Sequence, residues 1–303
     1  MGELLYSRDF ITNRFMLIHA RPYGRLGNQL FLLAHLVAFS REHDVPIRYP
    51  SFLDYADYFE SWRGNWLGQY PFPAGQRVGF RTWRKILKWS HYRAGKIVHR
   101  VRPNGRSVGA IFLEEGEPQD MASPEFIAAA NEKALFLQGY LFRDLPTLQK
   151  HSAEVRKLFL PIETHQRKVT EHITAARADC DLLVGFHVRR GDYREFAGGQ
   201  YFYSLDQYRL FLDRVAGQLK DKRVKFLICS DETIPSEVWK PHSVVRGPGQ
   251  FIQDMYALAE CDLIVGPPST FSGWASFYGQ KPLLHLNSKD VEIRLDRFEV
   301  MAG

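Results

Sequence analysis

Two arginines stand side by side, Arg189 and Arg190, in the stretch LLVGFHVRRGDYREF (residues 182–196). An apolar run carries the chain inward and ends on His187, the arginine pair, Gly191, Asp192 and Tyr193. Adjacent guanidiniums repel, and removing either from water is costly unless an anion meets it. Arginine also makes paired, charge-assisted bonds to phosphate and carboxylate oxygens. The chemistry that suits this pair is anion recognition. Successive strand residues point to opposite faces, so one arginine is expected on a ligand and the other on a structural carboxylate.

Two further clusters fit the same chemistry. In GPPSTFS (residues 266–272) the prolines cannot continue a helix from before, so Ser269 is a natural N-cap and Thr270 opens the first turn. Backbone N–H groups and the helix dipole at such a start favour an anion. In GRLGNQ (residues 24–29), expected to be a polar loop, glycines permit close backbone approach and Asn28 offers both a donor and an acceptor. Neither a G-x-G-x-x-G fingerprint nor a G-K-[ST] phosphate loop occurs, which argues against a dinucleotide enzyme and a P-loop nucleotidase. The acidic pairs in DCD (179–181) and ECD (260–262) precede strands, at the opposite edge from the other motifs, and are expected to be solvated strand starts rather than metal ligands.

These clusters need elements to hold them. FMLIHA (15–20) is a strand candidate, QLFLLAHLVAFSREH (29–43) a helix, VPIRYP (45–50) a strand, KALFLQGY (133–140) another strand, and HSAEVRKLF (151–159) a helix that stops before Pro161. Residues 61–110 are rich in Trp, Gly and basic residues, with weak periodicity. The second half alternates clearly: LLVGFHV, VKFLICS, DLIVG and KPLLHL as strands, with SLDQYRLFLDRVAGQL, FIQDMYALAEC and STFSGWASFYG as helices. Leu205, Tyr208, Leu212, Val215 and Leu219 share one helix face. The alternation predicts an α/β fold with parallel sheets covered on both faces. HVRRGDY, SDE (230–232) and GPPSTFS then fall at the carboxyl ends of strands, where open α/β sheets bind ligands. A boundary is expected near residue 165, giving a domain 1–165 with a basic insert at 61–110 and a domain 166–303. Two such domains would face each other across a cleft.

The 303 residues are 45% apolar and 24% charged, an ordinary globular composition that suits one large domain or two smaller ones. The net charge of +6 fits nucleic acid, an anionic membrane or a phosphorylated small molecule without choosing among them. Cys180, Cys229 and Cys261 sit in apolar surroundings and are expected to be free thiols in a reducing compartment. The longest apolar run, LFLLAHLVAF (30–39), is ten residues and contains a histidine, against about 20 for a membrane span. With charges where a leader's apolar core should be, the chain is expected in the cytoplasm, with a peripheral contact to the inner membrane face left open.

GRLGNQLF, HVRRGDY and STFSGW, in this order across residues 24–279, closely resemble the motifs of the α-1,2-fucosyltransferases. That resemblance implies a GDP-fucose-dependent, inverting, metal-independent enzyme with two Rossmann-like domains, the arrangement called GT-B. The histidine-x-arginine-arginine block is shared with α-1,6- and protein O-fucosyltransferases; the other two blocks narrow the match. By this resemblance His187 and Arg189 contact the nucleotide, with Arg189 on the β-phosphate. Asp254, sixteen residues before Thr270, reads guanine. Ser269 and Thr270 hold the diphosphate, and Gly27 and Asn28 close over the diphosphate or the sugar from the other domain. No cofactor and no metal are implied.

There are departures from the family pattern. Gly273 stands where the family usually has tryptophan, Phe142 where it often has glutamine, and residues 61–110 align with nothing. These leave the donor chemistry alone and bear on the acceptor, for which the resemblance implies a galactose-terminated oligosaccharide. Candidates to take the acceptor proton are Asp192 and Glu195, with Asp192 also able to orient an arginine or cap a turn. The alternatives are transfer of another GDP-sugar such as mannose, and a glycan-binding protein without turnover; nucleic acid is not the expected partner. The basic stretch 81–106 holds nine Lys or Arg and two Trp with no acidic residue. Beside a solvated helix–loop face, its alternative reading is a membrane-docking patch that includes Arg84, Lys85, Lys88 and Arg93.

Overall fold

The computed structural model describes residues 15–19, 21–73, 81–101 and 107–303. The chain divides into two units, Met1–Leu160 and Pro161–Gly303. Residue 165, near which the boundary was expected, lies inside a helix of the second unit.

In the first unit, β1 (Leu17–His19) leads into α1 (Leu26–His43) and β2 (Ile47–Arg48). Then come β3 (Gln69–Tyr70), α2 (Arg81–Val101), β4 (Val108–Phe112), β5 (Gln119–Asp120) and α3 (Pro124–Glu132). The unit closes with β6 (Ala134–Gln138), β7 (Phe142–Arg143), α4 (Leu145–Lys150) and α5 (Ser152–Leu158). Its main sheet has the order β3-β2-β1-β6-β4. The pairs of β1, β2, β4 and β6 are parallel, but β3 runs antiparallel to β2 at the edge, so this sheet is mixed rather than wholly parallel. The apolar run of residues 30–39 is explained by α1, which is buried on nearly every side, as a helix that is hydrophobic all round must be. His35 within it is fully buried, and its Nδ1 accepts from the Asp144 N–H at 3.2 Å. Burial, reinforced by Arg143, lowers its pKa to about 3, so it sits there uncharged. No helix among the described residues is long and apolar enough to cross a membrane.

Two expectations are corrected here. GRLGNQ is not all loop: α1 starts at Leu26, so Gly27 and Asn28 belong to its first turn. The reason is visible in the spacing, since Leu26, Leu30, Leu33 and Val37 continue one apolar stripe. The weak periodicity expected over residues 61–110 is also corrected: residues 81–101 form a 21-residue helix. One side of it is held by ion pairs. The Arg84 guanidinium donates to both Asp57 oxygens at 2.7 and 2.8 Å, and Lys88 reaches Asp54 at 2.6 Å. Arg84 and Lys88 are therefore internal anchors, not part of a free basic patch.

The second unit contains α6 (Glu163–Arg177), β8 (Leu182–Val188), α7 (Leu205–Gln218), β9 (Val224–Ser230) and β10 (Val244–Arg246). It ends with α8 (Phe251–Ala259), β11 (Leu263–Gly266), α9 (Thr270–Gly279) and β12 (Leu283–His285). The sheet order is β10-β9-β8-β11-β12, and every pair is parallel. The chain builds outward from β8 through β9 to β10, then returns to the other side of β8 with β11. The strand order thus reverses between β8 and β11, the switch point at which open α/β sheets bind ligands. A core of Val184, Phe186, Phe211, Leu212, Val215 and Phe226 packs α7 against the sheet.

Candidate functional site: the carboxyl edge of the second sheet

β8 brings His187 and then Arg189 to the switch point. Gly191, where the strand turns away, has no room for a side chain: a Cβ there would lie 2.9 Å from Asp231 Oδ2. Asp231, at the end of β9, accepts from the N–H groups of Arg190 and Gly191, each at 3.1 Å, and lies 3.4 Å from Arg189 Nε. Tyr208 on α7 fixes the same turn from the other side. Its hydroxyl accepts from the Arg189 N–H and donates to the Arg189 carbonyl, both at 3.1 Å. Arg189 is thus held by its backbone and its side chain together.

The expectation of a single structural carboxylate is exceeded. Arg189 donates to Asp192 through Nε and Nη2, both at 2.9 Å, and Arg190 Nη1 lies 3.7 Å from Glu232 Oε2. Two adjacent cations at a strand end need counter-charge on several sides. Arg190 also covers the Phe202 ring at 5.4 Å, as Arg194 does at 4.9 Å. Glu195 is exposed at the end of the same turn.

His187 is buried and stacks on Phe271 of α9 with ring centroids 5.0 Å apart. Burial, then Arg189 and His285, lower its pKa to about 3, so the ring is neutral. Its Nδ1 and Arg190 Nε are buried polar atoms without a hydrogen-bond partner. Both belong to the arginine turn and its strand, where a ligand with polar groups would satisfy them.

Across the switch point, Ser269 caps α9, its hydroxyl accepting from the Phe271 N–H at 3.2 Å. Tyr193, from the arginine turn, donates to the Pro268 carbonyl and ties the two sides together. The α9 N-terminus with Thr270 therefore stands beside the Arg189 turn, offering the positive end of its dipole.

Asp254 lies in the first turn of α8 and is 8% exposed. Its Oδ1 accepts from the Gly249 N–H at 2.7 Å, and a Cβ at Gly247, just past β10, would lie 2.7 Å from that oxygen. Burial raises its pKa to about 6, only partly offset by the Gly249 bond. β10 is two strands from β8, roughly 10 Å across the sheet.

In the first unit, Gly27 and Asn28 hold the corresponding place, in the first turn of the helix after β1. Gly24 has a φ of +61°, and a Cβ there would overlap the Asn28 amide, so this turn requires glycine. Asn28 is half-buried, whereas Gly27 is buried.

The acidic strand starts are occupied by cations of the chain itself. Asp179 pairs with Lys225, Asp181 with Arg223 at 2.7 Å, and Asp262 with Arg177 at 2.8 Å. No cluster of three or more His, Cys, Asp or Glu able to hold a metal occurs among the described residues. The residues that sequence reasoning left unassigned are Asp231, Tyr208 and Tyr193, which organise the arginine turn. For Asp231 the signal was its place in SDE at a strand end; the tyrosines gave none beyond ordinary core character.

No protein-family model and no curated protein sequence matches the chain. Its fold does match solved structures. Arabidopsis thaliana FUT1, a mutant in complex with GDP, superposes with a TM-score of 0.57 at 14% identity, covering 95% of this chain and 74% of that one. The fucosyltransferase NodZ from Bradyrhizobium gives a TM-score of 0.50 at 14% identity, covering 90% of this chain and 96% of that one. NodZ α-1,6-fucosyltransferase co-crystallised with GDP gives 0.50 at 14%, covering 90% and 95%. The chain shares the fold of these proteins, an α/β architecture of two Rossmann-like units of GT-B type.

Proposed function

We propose that the chain is an inverting fucosyltransferase that takes L-fucose from GDP-β-L-fucose. The observation that carries this reading is the meeting, on one sheet edge, of Arg189, the α9 N-terminus and the buried carboxylate of Asp254. Arg189 and α9 flank the switch point and suit a diphosphate. Asp254 lies on the same edge, against Gly247 just past β10 and Cys229 of β9, on the side to which a base joined through ribose to the diphosphate would extend. Its carboxylate can accept both N1–H and the N2 amine of guanine, donors that adenine does not offer. The folds and GDP complexes of FUT1 and NodZ support the same reading.

In the reaction the bond between C1 of fucose and the β-phosphate oxygen breaks as an acceptor oxygen bonds to C1 from the opposite face. GDP leaves with the bonding pair, and the acceptor proton passes to a carboxylate. Negative charge grows on the leaving diphosphate, where a fixed guanidinium and helix N–H groups lower the barrier. Asp192 is engaged by Arg189, so its role is to position that arginine. Glu195, exposed on the same turn, is assigned the proton. The motif resemblance extends the proposal to a galactose-terminated acceptor and an α-1,2 linkage.

A donor screen with GDP-fucose and GDP-mannose, reading GDP release with and without galactose-terminated oligosaccharides, tests the proposal. Turnover with GDP-fucose and an α-1,2 product by NMR is expected. Turnover with GDP-mannose alone would move the assignment to another GDP-sugar. Binding of glycan without release of GDP from either donor would leave a lectin-like protein.

A further inference from the structure

Five large apolar side chains stand exposed on the single helix α2: Trp83 (54%), Ile86 (47%), Trp89 (62%), Ile97 (62%) and Val101 (66%). Seven others are scattered over the remaining described residues, so this one helix carries a concentrated patch. At about 100° per residue, Trp83, Ile86, Ile97 and Val101 fall within an arc of about 60°. Beside it, Lys85, Arg93, Lys96 and Arg100 occupy an adjoining arc of about 80°, with Trp89 among them. All four cations are exposed, and none has a carboxylate partner among the described residues. The opposite side of α2 is the anchored one, through Arg84 to Asp57 and Lys88 to Asp54.

From this arrangement we infer that α2 docks the protein on an anionic phospholipid bilayer, lying in the interface with its apolar arc among the acyl chains. The outward face joins what a lipid surface requires: aliphatic and tryptophan side chains to enter the boundary, and cations beside them to meet phosphate headgroups. The Arg93 guanidinium lies 5.3 Å from the centre of the Trp89 ring, so cation and indole reach the headgroup level together. A second copy of this chain is a poor occupant. It would bring the same four cations against each other with no acidic residue in α2 to meet them. The inference does not depend on the donor site, which belongs to the other unit.

The test uses the full chain with vesicles of equal parts phosphatidylglycerol and phosphatidylcholine, and with vesicles of phosphatidylcholine alone. Sedimentation with the anionic vesicles at low salt, release at high salt and a blue shift of tryptophan emission are expected. Each cation near such a surface strengthens partition about fivefold, so reversing Lys85, Arg93, Lys96 and Arg100 to glutamate should weaken it by on the order of 100-fold or more. Trp89→Ser, a single exposed change that leaves the Asp54 and Asp57 anchors intact, should reduce both binding and the blue shift. A wild-type protein that stays in the supernatant at low salt overturns the inference. So does equal binding to both vesicle types, or unchanged binding by a charge-reversed variant with the wild-type unfolding midpoint. Binding to polyglutamate or single-stranded DNA in place of the vesicles would assign the patch to a soluble polyanion and overturn it equally.

Discussion

Arg189 holds both oxygens of Asp192, Nε to Oδ1 and Nη2 to Oδ2, each at 2.9 Å. A carboxylate engaged in this way has both oxygens turned to a cation and is poorly placed to take a proton from an incoming hydroxyl. Arg189→Ala should lower kcat/KM by roughly 30- to 1,000-fold, or about 2–4 kcal/mol, with the fold intact. Asp192→Asn keeps one acceptor for the guanidinium and should cost about tenfold while leaving the pH profile in place. Glu195→Gln should instead remove the limb of the profile that reports the base, with a loss of about 100-fold or more. The three pH–rate profiles, measured together, separate positioning from proton transfer. A limb lost in Asp192→Asn and kept in Glu195→Gln would reverse the two assignments.

Asp254 sets a pH dependence of its own. Its folded pKa, raised to about 6 by burial, lies above the usual value of 3.8. The stability it contributes is therefore present at low pH and is lost as pH rises through about 6. Ligand binding runs the other way, because two guanine donors need the ionised form. GDP affinity should rise as pH increases through about 6, and GDP should raise the unfolding temperature well beyond ADP or UDP. Asp254→Asn should flatten the pH dependence and weaken GDP by roughly 10- to 100-fold, while the free protein at neutral pH becomes no less stable. Calorimetric titration with the three nucleotides checks each part. Equal affinities for all three would remove guanine recognition from this residue.

The second unit was legible because its sheet is wholly parallel and buried. LLVGFHV, VKFLICS and DLIVG are apolar runs that end sharply on polar residues, and those endings form the candidate site. The first unit hides more. β10 of the second unit and β3, β5 and β7 of the first are two or three residues long, too short for any period to register. The helix at 81–101 was read only as a helix–loop face, and its anchoring through Arg84 and Lys88 to Asp57 and Asp54 is a tertiary pairing with short helical turns some thirty residues earlier, which no local pattern records. The first turn of α1 was mistaken for loop because glycine and asparagine are weak helix formers, yet here burial of Leu26 and Leu30 prevails over propensity. Tyr208 was placed correctly on a buried helix face. That its hydroxyl would grip the backbone of Arg189 depends on a tertiary contact that no local pattern records.

The acidic strand starts make a prediction about metal removal. Asp181 and Asp262 each meet a guanidinium at 2.7–2.8 Å, and the Leu183 N–H also donates to Asp262 at 2.8 Å. Each of these carboxylates has its charge met by a neighbouring side chain and lies at the amino edge of the sheet, away from Arg189. In the proposed donor site arginine and helix N–H groups meet the diphosphate charge, so turnover should persist in EDTA. Loss of activity on chelation, restored by manganese, would require a divalent ion at the donor.

Tyr208 offers the sharpest separation between folding and function. Its hydroxyl bonds both backbone groups of Arg189 at 3.1 Å, whereas the hydroxyl of nearby Tyr203 donates to the Leu286 carbonyl at 2.7 Å and does not touch the arginine turn. Both tyrosines are fully buried. Replacing either with phenylalanine removes one oxygen and leaves buried backbone groups without a partner, at about 1–3 kcal/mol. The two variants should therefore lose similar unfolding free energy in denaturant titrations. Only Tyr208→Phe should also weaken GDP and slow turnover, by about tenfold, because only that change frees the segment that aims Arg189. Equal losses of GDP affinity in the two variants would mean that the site responds to general loosening of the α7 face, and that the Tyr208 clamp does not position the arginine.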